Sequence, residues 1–169
     1  MSDTERSAGF PPLARGDARL LILGSLPGVR SIEEGQYYAH PRNAFWHIMA
    51  ELAGASGDYE QRCQALLDAG IAVWDVLASS VRPGSLDANI DMQTAQVNDF
   101  AGFLAGHAHI SRICFNGQAA ARMFAARVTL DAAQRHVSLH TLPSTSPAHA
   151  AMNYEEKLAR WRDGTGLLS

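Results

Sequence analysis

Several short stretches of this chain carry residues that could do chemistry. Ser25 sits in Gly24-Ser25-Leu26-Pro27-Gly28, a tight turn whose backbone N–H groups could meet an oxygen ligand. Tyr37 and Tyr38 flank a glycine-bearing loop, and an aromatic ring beside a ligand can stack on a planar base. Asn43 and Asn116 bring amides that can hold a water or donate to an oxygen, and Asp75 brings a carboxyl group. Pro143-Ser144-Thr145-Ser146-Pro147 is a stiff polar loop with three hydroxyls. Each has a plainer reading: Asn43 as a helix cap, Asn116 as a turn residue, the tyrosines as pins between loop and core.

Other chemistries find less support. Neither Gly-Lys-Ser/Thr nor G-x-G-x-x-G follows the glycine turn, so a phosphate loop is excluded. Ser25 as a hydrolase nucleophile needs a histidine and an orienting acid; His140 or His149 with Asp75 are the candidates, at no family's spacing. Among seven histidines the one close pair, His107 and His109, lacks a nearby third ligand, so no metal site is expected. The only lysine, Lys157, lies in a surface-type helix pattern, which leaves Schiff-base chemistry without a candidate.

These residues need elements to position them. Apolar runs at Arg19 to Gly24, Ile71 to Trp74, Ile110 to Phe115 and His136 to Leu142 read as buried strands. Helical spacing predicts helices over Asn43 to Ala53, from an Asp58 cap to Gly70, over Gln93 to Ala105, and over Gln118 to Arg127. A last helix begins at Asn153 with Glu156 completing a capping box, and ends at Gly164. Ala78 to Ile90 reads as a loop around Pro83-Gly84, and the segment between the first strand and Asn43 reads as irregular. Strands alternating with helices imply a three-layer α/β/α sandwich around a four-stranded parallel sheet. Residues 1–18 are expected as an N-terminal arm laid on the core by Phe10 and Leu13, and residues 19–169 as a single domain. In such sheets ligands bind beyond the carboxyl ends of the strands, and Gly24 to Gly28, Asp75, Asn116-Gly117 and Pro143 to Pro147 fall there.

Composition sets the outer limits. A chain of 169 residues with 47% hydrophobic and 18% charged residues suits one soluble domain. No apolar run approaches a membrane span, and the polar start lacks the core of a secretion signal, so the expected compartment is the cytoplasm. A net charge of −3 lacks the basic excess of a general nucleic-acid binder, and the run with Arg112, Arg122 and Arg127 but no acids reads as a solvated face. Cys63 and Cys114 are too few for an iron–sulfur or zinc-ribbon site, and no disulfide is expected.

Read together, Gly24-Ser25-Leu26-Pro27-Gly28 and Tyr37-Tyr38-Ala39-His40-Pro41-Arg42-Asn43-Ala44-Phe45-Trp46 resemble the uracil-DNA glycosylase superfamily. The resemblance extends to the mismatch-specific uracil/thymine glycosylases and is closer to the DNA-deoxyinosine (hypoxanthine-DNA) glycosylase branch. Trp74 to Leu77, Arg82-Pro83-Gly84-Ser85-Leu86-Asp87, Phe115-Asn116-Gly117 and Leu142 to Ala148 point to the same branch.

The resemblance implies an α/β/α fold and hydrolysis of the bond between a deaminated base and deoxyribose. The family's first motif usually supplies a water-activating Asp or Asn; here that position is Ser25. In the deoxyinosine branch the role passes to Asn43, with weight also on Asn116. Tyr38 matches the aromatic that stacks on the extruded base, and Ser25, Leu26 and Pro27 match the base-binding turn. Ser144, Thr145 and Ser146 would grip the DNA backbone. With no suitable lysine, the expected enzyme is monofunctional and needs no cofactor. It prefers hypoxanthine, whose purine is the better leaving group, with uracil second. Its partner is DNA holding a deaminated base; no membrane or obligate protein partner is expected, and the chain acts as a monomer. Two other classes stay open: a non-catalytic binder of damaged DNA or nucleotides, and the Ser25 hydrolase.

Overall fold

A computed structural model of the chain describes residues 6–167. Its centre is a parallel sheet of β2 (Leu20–Gly24), β3 (Ile71–Asp75), β6 (Arg112–Asn116) and β7 (Ser138–Leu142), in the order β3-β2-β6-β7. The predicted α/β class and four-stranded parallel sheet are present. β2 and β3 are buried at every position because helices cover both faces. Successive side chains in a strand point to opposite faces, so each apolar run feeds two cores. Leu20, Ile22, Ile71, Val73 and Cys114 pack with α2 (Phe45–Ala53), α3 (Tyr59–Asp68) and α6 (Tyr154–Thr165). Leu21, Leu23, Ala72, Trp74, Ile113 and Phe115 pack with α4 (Phe100–Ala105) and α5 (Gln118–Arg127).

Register then fixes what meets at the carboxyl rim. Gly24 pairs with Asp75 on one side, Leu23 pairs with Phe115 on the other, and Asn116 pairs with Leu142. Asp75, Gly24, Asn116 and Leu142 therefore close four neighbouring strands on one line. By the alternation above, the first three face the α2, α3 and α6 side.

A second sheet was not expected. β1 (Arg6–Ala8), β4 (Leu77–Val81) and β5 (Asp91–Val97) form an antiparallel sheet in the order β1-β4-β5. It corrects two readings. The loop expected over Ala78 to Ile90 begins as strand β4, paired on both edges. The helix expected over Gln93 to Ala105 is a strand followed by a short helix, split where Asp99 caps Gly102 N–H at 3.0 Å. The Val97, Phe100, Ala101 and Leu104 stripe joined two elements: Val97 pairs with Leu77, and only Phe100 onward is helical.

Smaller corrections follow from local packing. The segment read as irregular holds a short helix, α1 (Val29–Glu34), ended by Gly35 at φ 66°. At Asn153 the side chain accepts from Glu156 N–H, but the reciprocal half of the capping box is absent. α6 continues past Gly164, which lies against Leu142, and ends at Gly166. Lys157 is buried and donates to the His149 carbonyl at 2.7 Å rather than facing solvent. Of the three arginines read as a solvated face, Arg122 and Arg127 are exposed, whereas Arg112 is half-buried and reaches the Gly164 carbonyl at 2.6 Å. The described part of the arm lies on the body, with Leu13 bridged to Val73. The start of that arm, residues 1–5, falls outside the described residues. Among the described residues no helix is long and apolar enough to cross a membrane. Cys63 and Cys114 are both free thiols.

Candidate active site

A cavity of about 620 Å³ opens at the carboxyl rim of the parallel sheet, within the range of small-molecule sites. Ser25, Leu26, Pro27, Tyr38, Asn43, Asn116, Ser144, Thr145 and Ser146 all line it. Asp75, Ser85, Asp87, His40 and His149 line it as well.

Gly24 makes the floor. A Cβ there would stand 2.6 Å from Asp75 Oδ1 and 3.0 Å from Tyr38 Oη. The missing side chain is therefore the space that these two groups share. Asn116, on the next strand, is held on both sides of its amide. Its Nδ2 donates to Thr145 Oγ1 and its Oδ1 accepts from Thr145 N–H, each at 2.9 Å. One Nδ2 hydrogen is left, beside the Tyr38 hydroxyl, which itself makes no hydrogen bond of ordinary geometry. Thr145 is almost fully buried, so its hydroxyl serves Asn116 from inside the loop. The same loop is tied to the core by Trp161 Nε1, which donates to the Pro143 carbonyl at 2.9 Å. Ser144 and Ser146 turn their hydroxyls to the N–H groups of Ser146 and Ala148.

Tyr38 is held in an unusual backbone state. It is the one non-glycine residue at positive φ among the described residues, at 54°, a region that costs an L-residue about 1 kcal/mol. Its ring lies on Phe45 at 4.1 Å with 23° between planes. Phe45 is fully buried, so one face of the tyrosine is braced by the core. Tyr37 anchors the approach to this turn: Trp46 Nε1 donates to its carbonyl at 2.8 Å, and its hydroxyl donates to the Pro11 carbonyl at 2.8 Å. Burial pushes both tyrosine hydroxyls well above their ordinary range.

Asn43 lies just before α2. Its Oδ1 accepts from Phe45 N–H at 3.0 Å, so the helix-cap reading holds in part, although Ala44 occupies the cap position itself. The Ala44 N–H donates to the Thr145 carbonyl at 3.0 Å, which fastens the Asn43 turn to the loop that holds Asn116. One lone pair of Oδ1 and the amide nitrogen remain for a ligand.

Sequence reasoning named Asp75 among the rim residues but gave Asp87 and Arg82 no role. Ser25 Oγ donates to Asp87 Oδ1 at 2.5 Å, across 62 positions of chain. A carboxylate thus reaches the place where the first motif has a serine. Ser25 therefore bonds to an acid and to neither candidate histidine: His140 pairs with Ser138, and His149 lines the same cavity with its Nδ1 unpartnered. Arg82 is buried and donates to the carbonyls of Leu26, Pro27 and Gly84, joining the glycine turn to the loop that carries Asp87. Desolvation lowers the Arg82 pKa, opposed by the charges of Asp87 and Asp75. Asp75 is only 4% exposed, and its Oδ2 has no hydrogen-bond partner. Burial, helped by the charge of Asp87 and opposed by Arg82, pushes its carboxyl up to about 7. A signal for both acids was in the sequence: Asp75 closes an apolar strand at the ligand rim, and Asp87 ends the Arg82-to-Asp87 motif. Among the described residues no group of three His, Cys, Asp or Glu side chains is placed to hold a metal ion; His107 instead stacks on Phe103 at 4.1 Å.

Known proteins resemble this chain in sequence and in fold. The family model described as the uracil DNA glycosylase superfamily matches residues 11–164. A hypoxanthine DNA glycosylase of Methanosarcina barkeri is 35% identical over 116 residues, covering 67% of this chain and 72% of the relative. One from Methanosarcina acetivorans is 36% identical over 115 residues, covering 66% and 72%. A solution NMR structure of a protein provisionally described as a uracil DNA glycosylase, from Methanosarcina acetivorans, superposes with a TM-score of 0.76 at 29% identity. That match covers 94% of this chain and 95% of the other. The motifs at the sheet rim, the cavity they enclose and these likenesses agree, and the chain belongs to the uracil DNA glycosylase superfamily.

Proposed function

We propose that this protein is a monofunctional DNA glycosylase that hydrolyses the N-glycosidic bond of a deaminated base, hypoxanthine first and uracil second. The observation that carries the reading is convergence. Tyr38 and Asn43 come from one stretch and Asn116 from a strand end far along the chain, and all three line one cavity beside the glycine turn. The relatives described as hypoxanthine DNA glycosylases support the choice of base.

The chemistry follows from what each group has left to offer. A base must leave the duplex stack to be cut, at a cost of a few kcal/mol. The free face of Tyr38, braced behind by Phe45, receives the extruded base. As the glycosidic bond breaks, positive charge grows on the sugar and negative charge on the base. The remaining Asn116 N–H donates to the base oxygen, in the manner of an oxyanion hole. Thr145 keeps that amide from rotating, so it needs no reorganisation during the reaction. Asn43 holds the attacking water through its free amide groups, acting by position rather than by basicity. The hydroxyls of Ser144 and Ser146 lie at the rim, where phosphates pass. The product is an abasic site, because Lys157 lies outside the cavity lining and is engaged with His149. The protein works as a monomer in the cytoplasm on the chromosome, as one domain with the described part of its arm packed against it.

The test is a panel of duplexes carrying deoxyinosine, deoxyuridine or a G:T mismatch, with alkaline cleavage reporting abasic sites. Cleavage strongest on deoxyinosine and weaker on deoxyuridine is expected. Cleavage of the mismatch alone, or of none, would contradict the proposal.

A further inference from the structure

Asp75 is a carboxyl group in a place where carboxyl groups are expensive. It sits at the carboxyl end of β3 on the cavity floor, 4% exposed, with Oδ2 lacking any partner. An ionised carboxylate left unpaired in such a place is strongly disfavoured, so the group is held neutral or finds a ligand. It makes no salt bridge with the nearby Arg82, whose hydrogen bonds go to backbone carbonyls. Packing does not require an acid there either, since nothing in the protein uses Oδ2. Residue 24 is glycine, and its missing side chain makes room for Asp75 Oδ1 and Tyr38 Oη, which lie where a Cβ would stand. The register line puts the carboxyl on the same face of the sheet as Asn116, two strands away.

Resting on the glycosylase reading above, we infer that Asp75 is a further catalytic residue: as a neutral acid it protonates the departing base. The bond between C1′ and the base nitrogen breaks, and its electron pair goes to the base. The proton on Asp75 moves to an acceptor nitrogen of that base, which leaves as a neutral molecule. Water adds to C1′, and the proton it sheds returns through solvent to the Asp75 carboxylate. The sum is nucleotide plus water giving abasic sugar plus free base.

The surroundings suit that assignment. The groups facing Asp75 are Asp87 and Arg82 from the loop after β4, and Tyr37 and Tyr38 from the turn before α2. Burial and the Asp87 charge favour the protonated form against the pull of Arg82, which leaves the acid titrating near neutrality. Asp87, exposed at the mouth and bonded to Ser25, stays on the water side of the cavity. A purine gains more from this acid than a pyrimidine, because its second ring offers additional nitrogens for the proton.

The experiment is single-turnover excision of deoxyinosine by the full chain, from about pH 5 to about pH 9. The wild-type rate should be level at the acid end and fall about tenfold per pH unit above neutrality. Asp75→Asn keeps the shape and can still donate a hydrogen bond but cannot transfer a proton. Its rate at the acid end should be about 100-fold lower, with a flat profile, while its affinity for a duplex with an uncleavable abasic analogue is unchanged. A wild-type rate with no falling limb above neutrality overturns the inference without any variant. So does an Asp75→Asn protein that keeps the wild-type rate and profile; excision then survives, and only the role of Asp75 is lost. A wild type that releases no base from any duplex removes the glycosylase reading and this inference with it.

Discussion

Asp75 and Asn116 stand on one register line of the parallel sheet with only Gly24 between them. The Asp75 carboxyl group and the Tyr38 hydroxyl occupy the space over Gly24 that a side chain there would need, and all three line the cavity. Gly24→Ala tests this directly. The new methyl group would meet Asp75 Oδ1 at 2.6 Å and Tyr38 Oη at 3.0 Å. Overpacking of this kind costs about 1–3 kcal/mol of stability. Urea denaturation should show that loss, and excision should fall further than stability does. Pairing it with Asp75→Gly should recover much of the stability but not the activity.

Thr145→Val examines what holds Asn116. The valine keeps the backbone N–H that Asn116 Oδ1 accepts but removes the hydroxyl that Nδ2 reaches. A buried donor left without its partner costs about 1–3 kcal/mol. The expected result is a lower urea midpoint together with a lower single-turnover rate at saturating DNA. An unchanged rate would show that Asn116 needs no anchoring.

Tyr38 separates ring from hydroxyl. Its Oη is buried without a partner and its ring is braced on Phe45. Tyr38→Phe should leave stability level or slightly raised, since no hydrogen bond is lost. Tyr38→Ala should weaken binding of a damaged duplex by about 1–3 kcal/mol, the usual worth of a base stacked on an aromatic ring. Urea denaturation measures the first, and competition binding with fluorescent oligonucleotides the second.

Asp75 also gives stability a pH dependence. Its folded pKa, near 7, lies above that of an exposed Asp, so the folded state holds the proton more tightly. Stability is then greatest below the unfolded value and falls as pH rises from about 4 to about 7, by a few kcal/mol in all. Asp75→Asn should remove that slope and be the more stable protein above neutrality. Chemical denaturation at a series of pH values shows whether the two curves converge in acid.

The parts of this molecule that were legible in its sequence are those set by local pattern. β2, β3 and β6 are short apolar runs closed by Gly24, Asp75 and Asn116, and their burial on both faces leaves few other readings. The rim residues followed from the same logic, because a parallel sheet gathers its strand ends. What escaped depends on pairing over distance. Residues 91–97 are a strand because β4 offers them an edge, while their own pattern runs smoothly into the Phe100 helix. The Ser25–Asp87 bond and the burial of Arg82 and Lys157 likewise arise between segments that sequence spacing does not relate.

The central claim is that this cavity severs a base from DNA with Asn43 placing the water. It is met most directly by mass-spectrometric detection of free hypoxanthine released from a duplex with one deoxyinosine, comparing wild type with Asn43→Ala. The account predicts stoichiometric release by the wild type and a rate about 100-fold lower for the variant, the scale set by positioning a reactant. No release by the wild type, or equal rates for the two proteins, would contradict it.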